Sequence, residues 1–505
     1  RDHLLLGDGL AQSTGLAQML GQCPRLRLVF LNGCSTGGQV RELLAQGIPV
    51  VIATNAPVDD RKATLFSTWF FEAMQQQFTV QAAFEMAKAA ILTAYTNLRV
   101  EQHRSNLDDL DGLDDGTWGI FYTEKTAHHL DWKLPLQAVM PAVSTNFTPN
   151  QKLVEVLFKA LSESHDGIRK LYEQDQRKVQ PVGLPTKRLQ IINALPAPLA
   201  EHIRKLLVPI EEENEGYDKV SEGRIRQIVA AYNTSMELLG FTMLAQLWEA
   251  FYQENKPVIA PQQADYLRFF FRLPKAEREV FDFLELIKTV RTIFDQNEIR
   301  YFVQEIADLR KLIHDDPVFA ESLQFLNGMR LQVRQYAPDV SALAYLSQRG
   351  EECLAYLYSK LGFMARYRLA TIQGIDVEKY RHRREPGFVH ATAILHDLQG
   401  GFALTPVHLT KPLDNRSILL VNEENWDYLN LSPFVIDENA FHPRTDVCKM
   451  FFFSHYLAAA DICCYKYVNK PDDPLLEVSA TELTLVKDQM DAFAELIFKK
   501  SLNQL

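Results

Sequence analysis

A cysteine flanked by glycines is the residue of this sequence best suited to covalent chemistry. Residues 31–38 read Leu-Asn-Gly-Cys-Ser-Thr-Gly-Gly, so Cys34 directly follows an apolar run at residues 26–31. A thiol acts as a nucleophile once a base or a local positive field supplies its thiolate. Glycines permit a tight turn, in which a backbone N–H at Gly33 or Cys34 is a candidate for an oxyanion hole. The segment therefore predicts nucleophilic catalysis by Cys34.

Cys34 also has a simpler interpretation, because unpaired cysteines are often inert residues of a hydrophobic core. For an isolated cysteine at the end of a strand, the inert interpretation is the more frequent one. The segments around the cysteine must decide between the two.

Those segments predict an α/β region over residues 1–125. Residues 26–31 and 48–54 are typical of buried strands, and residues 38–46 fit a short helix that ends at Gly47. A strand–helix–strand unit of this length implies parallel pairing and a right-handed crossover. Reactive groups collect at the carboxyl edge of such a sheet, where we expect Cys34.

Further elements follow in the same region. Asp59 and Asp60 are predicted to cap a helix that runs to about residue 77, and a second helix is predicted at residues 80–98. Residues 117–123 predict one more strand.

In this order the segments resemble the CHAT domain, which belongs to the caspase, separase and gingipain group of cysteine peptidases. The similar blocks begin at residues 4, 32, 47, 58, 80 and 118, with the sequences Leu-Leu-Leu-Gly-Asp-Gly, Asn-Gly-Cys, Gly-Ile-Pro-Val-Val-Ile-Ala, Val-Asp-Asp-Arg-Lys-Ala, a helical segment, and Trp-Gly-Ile-Phe. The resemblance implies the C-terminal part of a caspase-like domain, with a mostly parallel sheet flanked by helices. It also implies peptide-bond hydrolysis through a thioester on Cys34, without a cofactor.

The resemblance implies two further functional groups. The catalytic histidine of the family lies in a His-Gly motif after the preceding strand, whereas His3 comes too late and is followed by Leu4. We therefore expect the base upstream of Arg1. Caspase-like enzymes often select a charged side chain, and Asp59 and Asp60 are candidates to select Lys or Arg. Helix capping is the favoured alternative for both aspartates.

Composition and charge argue against several other classes. The net charge of −11 makes a general nucleic-acid binder a poor expectation. The six cysteines are irregularly spaced and form no Cys-x-x-Cys pair, which disfavours disulfides and structural zinc and favours the cytoplasm. The most apolar stretch, residues 450–464, is interrupted by His455 and Asp461, so no membrane span is expected.

The remaining chain is predicted to contain a linker at residues 126–148, a large helical region at residues 149–386 and a small α+β module at residues 387–505. By family analogy, such regions are sensors or adaptors in bacterial conflict and cell-death pathways. We therefore expect residues 149–505 to regulate cleavage of a protein substrate through a ligand or a partner protein.

Three local features have weaker functional interpretations. No metal site is predicted, because the pairs His128–His129 and Cys463–Cys464 are adjacent residues and the acidic loop at residues 108–115 lacks the spacing of an EF-hand. The strongest basic cluster comprises Arg366, Arg368, Lys379, Arg381, His382, Arg383 and Arg384. A solvated or ion-paired face is favoured there, and nucleotide or RNA binding at Arg381, Arg383 and Arg384 is the alternative.

Two alternatives to a peptidase remain open. One is an inactive caspase-like scaffold whose helices bind partners. The other is a nucleotide-sensing adaptor, which depends on the basic cluster alone.

Overall fold

The computed structural model of the chain describes residues 3–6, 9–23, 26–32, 39–54, 58, 60–75, 78–94, 100–104, 118–134, 147–177, 181–208, 216–278, 280–335, 342–395, 404–441, 449–471 and 473–504. The chain divides into two compact units, residues 1–142 and residues 143–505. Each unit is built around its own hydrophobic core.

The first unit contains a hairpin and a mixed sheet. The hairpin pairs β1 (His3–Leu6) with β2 (Gly9–Gln12). The sheet has the order β3-β4-β6-β5 and consists of β3 (Leu28–Phe30), β4 (Val50–Thr54), β5 (Val100–Arg104) and β6 (Trp118–Tyr122). The pairs β3–β4 and β5–β6 are parallel, whereas β4–β6 is antiparallel. The parallel pairing predicted for the strands on either side of Cys34 is confirmed, within a sheet that is mixed.

Helices cover both faces of this sheet. They are α1 (Ser13–Gly21), α2 (Val40–Ala45), α3 (Asp60–Gln75) and α4 (Val80–Ala94). Successive residues of a strand point to opposite faces. Accordingly, Val50 and Ile52 of β4 join the core of α3 and α4, while Val51 and Ala53 join the core of α1 and α2. Helix α2 ends before Gly47, whose φ of +85° suits glycine, as predicted.

The first part of the predicted linker is ordered structure. Residues Glu124–Asp131 form a 3₁₀ helix that begins with a capping box between Thr123 and Thr126. Leu130 of this helix is buried in the core with α3 and α4, and the carbonyl of Trp132 accepts a hydrogen bond from the N–H of Val80. Residues 135–146 lie outside the described part of the chain.

Helices form most of the second unit. They are α5 (Gln151–Ser162), α6 (Asp166–Gln176), α7 (Leu184–Ala194), α8 (Ala197–Leu207), α9 (Glu222–Ala250), α10 (Pro261–Arg272), α11 (Lys275–Arg278), α12 (Phe283–Gln296), α13 (Leu309–Asp315), α14 (Pro317–Gln335), α15 (Leu343–Lys360) and α16 (Thr484–Phe498). Helix α9 is 29 residues long and buried on almost every side. A helix with this pattern lies at the centre of its unit.

Two antiparallel sheets complete the second unit. The first has the order β11-β10-β7-β8-β9 and the second the order β12-β13-β14-β15. Their strands are β7 (Tyr367–Glu378), β8 (Gly387–Ile394), β9 (Thr405–Leu409), β10 (Ser417–Asn422), β11 (Tyr428–Asn430), β12 (Val435–Asp437), β13 (Met450–Leu457), β14 (Ile462–Tyr467) and β15 (Leu476–Val478). One core joins the helices to both sheets. Strand β7 lies within the region predicted to be helical.

The most apolar stretch of the sequence is a β-hairpin. Residues 450–464 form β13 and the first part of β14, and Asp461 occupies the turn with a φ of +53°. Among the described residues, none of the helices has the length and apolar character needed to cross a membrane.

A fully buried ion pair connects three helices of the second unit. Arg224 of α9 and Glu351 of α15 form a salt bridge of 2.6 Å, and their side chains are 0% and 1% exposed. The Glu351 carboxylate also accepts hydrogen bonds from the N–H groups of Asn150, at 2.9 Å, and Leu153, at 3.1 Å, at the start of α5. The Asn150 side chain in turn accepts from Arg224 and donates to the carbonyl of Leu206. Burial lowers the pKa of Arg224, and Glu351 counteracts that shift.

Glu351→Ala should lower the free energy of unfolding by about 3 to 5 kcal/mol, because it leaves Arg224 buried without a counter-ion. Urea unfolding of the full chain measures this change. Glu352→Ala is the matched control, since the neighbouring carboxylate makes only partly exposed ion pairs, with Lys152 and Arg349, both at 3.6 Å. The control should cost about 1 kcal/mol or less. Equal losses for the two variants would contradict a central role for the buried pair.

Candidate active site

The segment that carries Cys34 begins at the carboxyl end of β3. Gly33 and Cys34 lie within residues 33–38, outside the described residues, so the surroundings of the site come from its neighbours. The N–H of Leu31 donates to the carbonyl of Ile52 at 2.8 Å, which continues the parallel pairing of β3 and β4 beyond Phe30. The chain is therefore hydrogen-bonded to the sheet as far as Leu31, two residues before Gly33.

Asn32 fixes the chain at the position next to Gly33. Its Nδ2 donates to the carbonyl of Ala63 in α3 at 2.8 Å, and its Oδ1 accepts from Nε1 of Trp118 at 3.4 Å. Trp118 is 0% exposed and stacks on Phe66 of α3, with ring centroids 4.6 Å apart and an interplanar angle of 8°. The side chain of Asn32 is thus held by both α3 and β6.

This role of Asn32 was not recognised from the sequence. The available signal was a polar amide directly after a buried apolar strand, where the backbone leaves the sheet. Its partners, Ala63 and Trp118, are 31 and 86 residues away, so their positions depend on the fold.

The carboxyl ends of β3 and β4 lie at one edge of the sheet because these strands are parallel. Thr54, the last residue of β4, is 0% exposed and pairs in register with Trp118. The antiparallel direction of β6 brings its first residue to the same edge. Asn32, Thr54 and Trp118 therefore mark the edge from which the Cys34 segment leaves.

The aspartates proposed for substrate selection follow β4 in the sequence. Helix α3 begins at Asp60, as the capping pattern predicted, and Val58 before it is buried. Asp59 and the side chain of Asp60 lie outside the described residues. Substrate selection and helix capping both stay predictions for these two residues.

The model of the CHAT domain family matches residues 2–136. These residues are a CHAT domain. The family is related to caspase-like proteases, and the match confirms the resemblance drawn from the motifs around Cys34. No curated protein and no solved structure matches the chain.

The four cysteines that the structure describes differ from one another in exposure. Cys23 of the CHAT domain is exposed, whereas Cys353, Cys463 and Cys464 of the second unit are buried and form no disulfide. Burial raises the pKa of Cys463 to about 12 and that of Cys464 to about 11, and it also raises the pKa of Cys353. These three thiols are protonated at neutral pH and are poor nucleophiles. Cys448 lies outside the described residues.

The adjacent histidines of the CHAT domain stack on one another. The rings of His128 and His129 are 4.1 Å apart, and the pKa of His129 is lowered by burial and by the nearby His128 and Arg27. Within the described ranges, no three His, Cys, Asp or Glu side chains are placed to share a metal ion. The acidic loop at residues 108–115 is outside those ranges.

Much of the basic cluster is ion-paired within the second unit. Arg366 contacts Glu305 at 2.9 Å, Arg368 contacts Glu423, and Arg383 contacts Glu378 at 3.8 Å. Lys379 donates to the carbonyls of Arg383 and Arg384. Arg381 and Arg384 are exposed and form no ion pair among the described residues. The ion pairs of Arg366, Arg368 and Arg383 support the interpretation of this cluster as an ion-paired face. Nucleotide binding stays a prediction.

Asn32→Ala should destabilise the CHAT domain by about 1 to 2 kcal/mol, because it removes two partly buried hydrogen bonds at the end of β3. Ser67→Ala is the control, since the Ser67 hydroxyl donates to the same Ala63 carbonyl from within α3, at 2.9 Å. Hydrogen exchange of β3 and β4 amides measures the local effect. Faster exchange in both variants alike would show that Asn32 has no special role.

Proposed function

We propose that the CHAT domain is a regulated cysteine endopeptidase with Cys34 as its nucleophile. The observation that carries the proposal is the anchoring of Asn32, immediately before Gly33 and Cys34, to both α3 and β6. This anchoring occurs in a segment that matches a family related to caspase-like proteases. Because the chain next to the nucleophile is already fixed, less conformational freedom is lost when the substrate and the thiolate align.

In this mechanism the Cys34 thiolate attacks the carbonyl carbon of the scissile peptide bond. The oxyanion of the tetrahedral intermediate accepts hydrogen bonds from backbone N–H groups at Gly33 and Cys34. The C–N bond then breaks, and the amine leaves with the proton that a histidine took from the thiol. Water hydrolyses the thioester and regenerates the thiol. We assign the role of this base to the histidine of the family's His-Gly motif.

Substrate selection is assigned to Asp59 and Asp60, which follow β4 in the sequence. A carboxylate there favours a substrate with Lys or Arg beside the scissile bond, because the charge-assisted pair orients that side chain. Residues 149–505 are assigned a regulatory role, through a ligand or a protein partner. A role in bacterial defence or cell death, in the cytoplasm, belongs to the same proposal.

A peptidyl electrophile with Lys or Arg at its reactive end should label Cys34 faster than any other cysteine. Mass spectrometry of the native-length protein, alone and with candidate activators, measures the rates. Cys23 is the internal reference, because it is an exposed thiol in the same domain, and Cys463 and Cys464 should stay unlabelled at neutral pH. Cys34→Ala should abolish the fast phase, whereas Cys23→Ala should preserve it.

Labelling of Cys34 at the rate of Cys23 in every condition would contradict an activated nucleophile. The inactive scaffold would then be the better description of the domain, with partner binding as its function. A fast phase that survives in Cys34→Ala would assign the chemistry to another residue.

Removal of the acidic charge should reduce the preference for basic substrates. Asp59→Asn and Asp60→Asn are tested separately. The variant that removes the aspartate paired with the substrate should lower kcat/KM for Lys and Arg reporters by about tenfold or more. Glu85→Gln is the control, since Glu85 lies on α4, where it forms an ion pair with Lys88 at 3.6 Å. Equal cleavage of acidic and basic reporters by the unaltered protein would exclude this form of specificity.

A further inference from the structure

The second unit contains a cavity of about 300 Å³ next to the central helix α9. Its walls come from α9, α11, α12, α14 and the sheet that contains β13 and β14. The rings of Phe281, Phe283 and Phe453 line it together with the charged side chains of Lys275 and Arg278. The lining is mainly polar, and a concave site that combines aromatic rings with charged side chains is suited to a small polar ligand.

Arg278 is a buried cation without an ion-pair partner among the residues that the structure describes. Its side chain lines the cavity and the residue is 5% exposed. Among the described residues, neither Nη1 nor Nη2 makes a hydrogen bond, and the guanidinium forms no ion pair. Buried arginines are normally paired, because removing a charge from water is among the costliest steps in folding.

Aromatic rings stabilise the charge of the Arg278 guanidinium but do not supply acceptors for its N–H groups. Its carbon lies 3.6 Å from the ring centroid of Phe270 and 4.8 Å from that of Phe283. Such cation–π contacts stabilise the flat face of the group. The N–H donors point outward in its plane, so ring contacts leave them without acceptors.

Arg278 remains charged at neutral pH. Burial lowers its pKa to about 9, and the nearby Glu237 and Tyr266 limit that shift. The charge of Arg278 is not cancelled by Glu237 alone, because the Glu237 carboxylate forms a 2.5 Å salt bridge with Lys466.

Most of the other charged groups of the cavity have partners, whereas Oε2 of Glu237 makes no hydrogen bond among the described residues. Arg330 donates to the carbonyls of Phe281 and Val280, and the carboxylate of Asp282 accepts from the N–H of Leu284 at the start of α12. Lys275, three residues before Arg278 in α11, is exposed and makes no ion pair among the described residues. Asp473 is the remaining acidic residue of the lining. Lys275 and Arg278 thus place two cations at the cavity that form no ion pair within the described part of the chain.

We propose that this cavity binds a small organic anion, whose phosphate or carboxylate group pairs with Arg278 and Lys275 and whose apolar part contacts the phenylalanine rings. An arginine fork with unused donors matches the paired oxygens of either group. Lys275 at the exposed side adds a second positive charge, which favours a phosphate monoester over a carboxylate. The proposal concerns binding to the second unit and does not depend on peptidase activity.

Calorimetric titration of the full chain with phenyl phosphate and with benzoate tests the proposal. These probes share an aromatic ring and differ in the anion, so their relative affinities identify the preferred group. Arg278→Met should weaken binding of the preferred probe by about tenfold or more, because a charge-assisted pair is lost. Lys275→Met should weaken it by about twofold to fivefold, as expected for an exposed charge.

Arg291→Met is the matched control. Arg291 is also a buried arginine, 7% exposed, but it pairs with Asp295 at 3.7 Å and lies outside this cavity. Its replacement should leave the affinity unchanged. The proposal is overturned if the unaltered chain binds neither probe, or if Arg278→Met binds as tightly as the unaltered chain. Should Arg278→Met fail to fold, unchanged binding by Lys275→Met would overturn it.

Discussion

The Glu351 carboxylate performs two tasks that the second unit needs at the same point. It neutralises Arg224 of α9, and it accepts the N–H groups of Asn150 and Leu153, which begin α5 without a cap from a neighbouring side chain. Either the cation or the helix end would be costly to bury alone. Because Glu351 is 127 residues from Arg224 and 201 from Asn150, these interactions require that α5, α9 and α15 are already close together. The buried pair therefore couples the first helix of the unit to its centre.

Elements with strong local signals were predicted well, and elements that depend on distant partners were not. The apolar runs around β3, β4 and β6 identified those strands, with slightly shorter bounds in the structure. Strand β5 reads Val-Glu-Gln-His-Arg, a polar sequence that becomes a strand through parallel pairing with β6. Strand β7 lies in a basic region and exists because β8 and β10 pair with its two sides.

The same distinction applies to the functional residues. The motif around Cys34 is local, so sequence could identify it, whereas the support from Asn32 depends on residues of α3 and β6. The basic cluster was conspicuous in the sequence, yet several of its charges are neutralised by nearby carboxylates. Arg278 lies in an ordinary Lys-Ala-Glu-Arg segment, and only the packing around it shows that Nη1 and Nη2 make no hydrogen bond within the described part of the chain.

The packing of Trp118 also makes it an optical probe of the CHAT domain. Its indole is fully buried, stacked on Phe66 and hydrogen-bonded to the residue that precedes Gly33 and Cys34. The emission of an indole depends on its hydrogen bond and its surroundings. A rearrangement that breaks the hydrogen bond between Asn32 and Trp118 therefore changes the surroundings of a chromophore that the domain already contains. The contribution of Trp118 to the intrinsic fluorescence, which four other tryptophans share, gives access to the state of Asn32 without an added label.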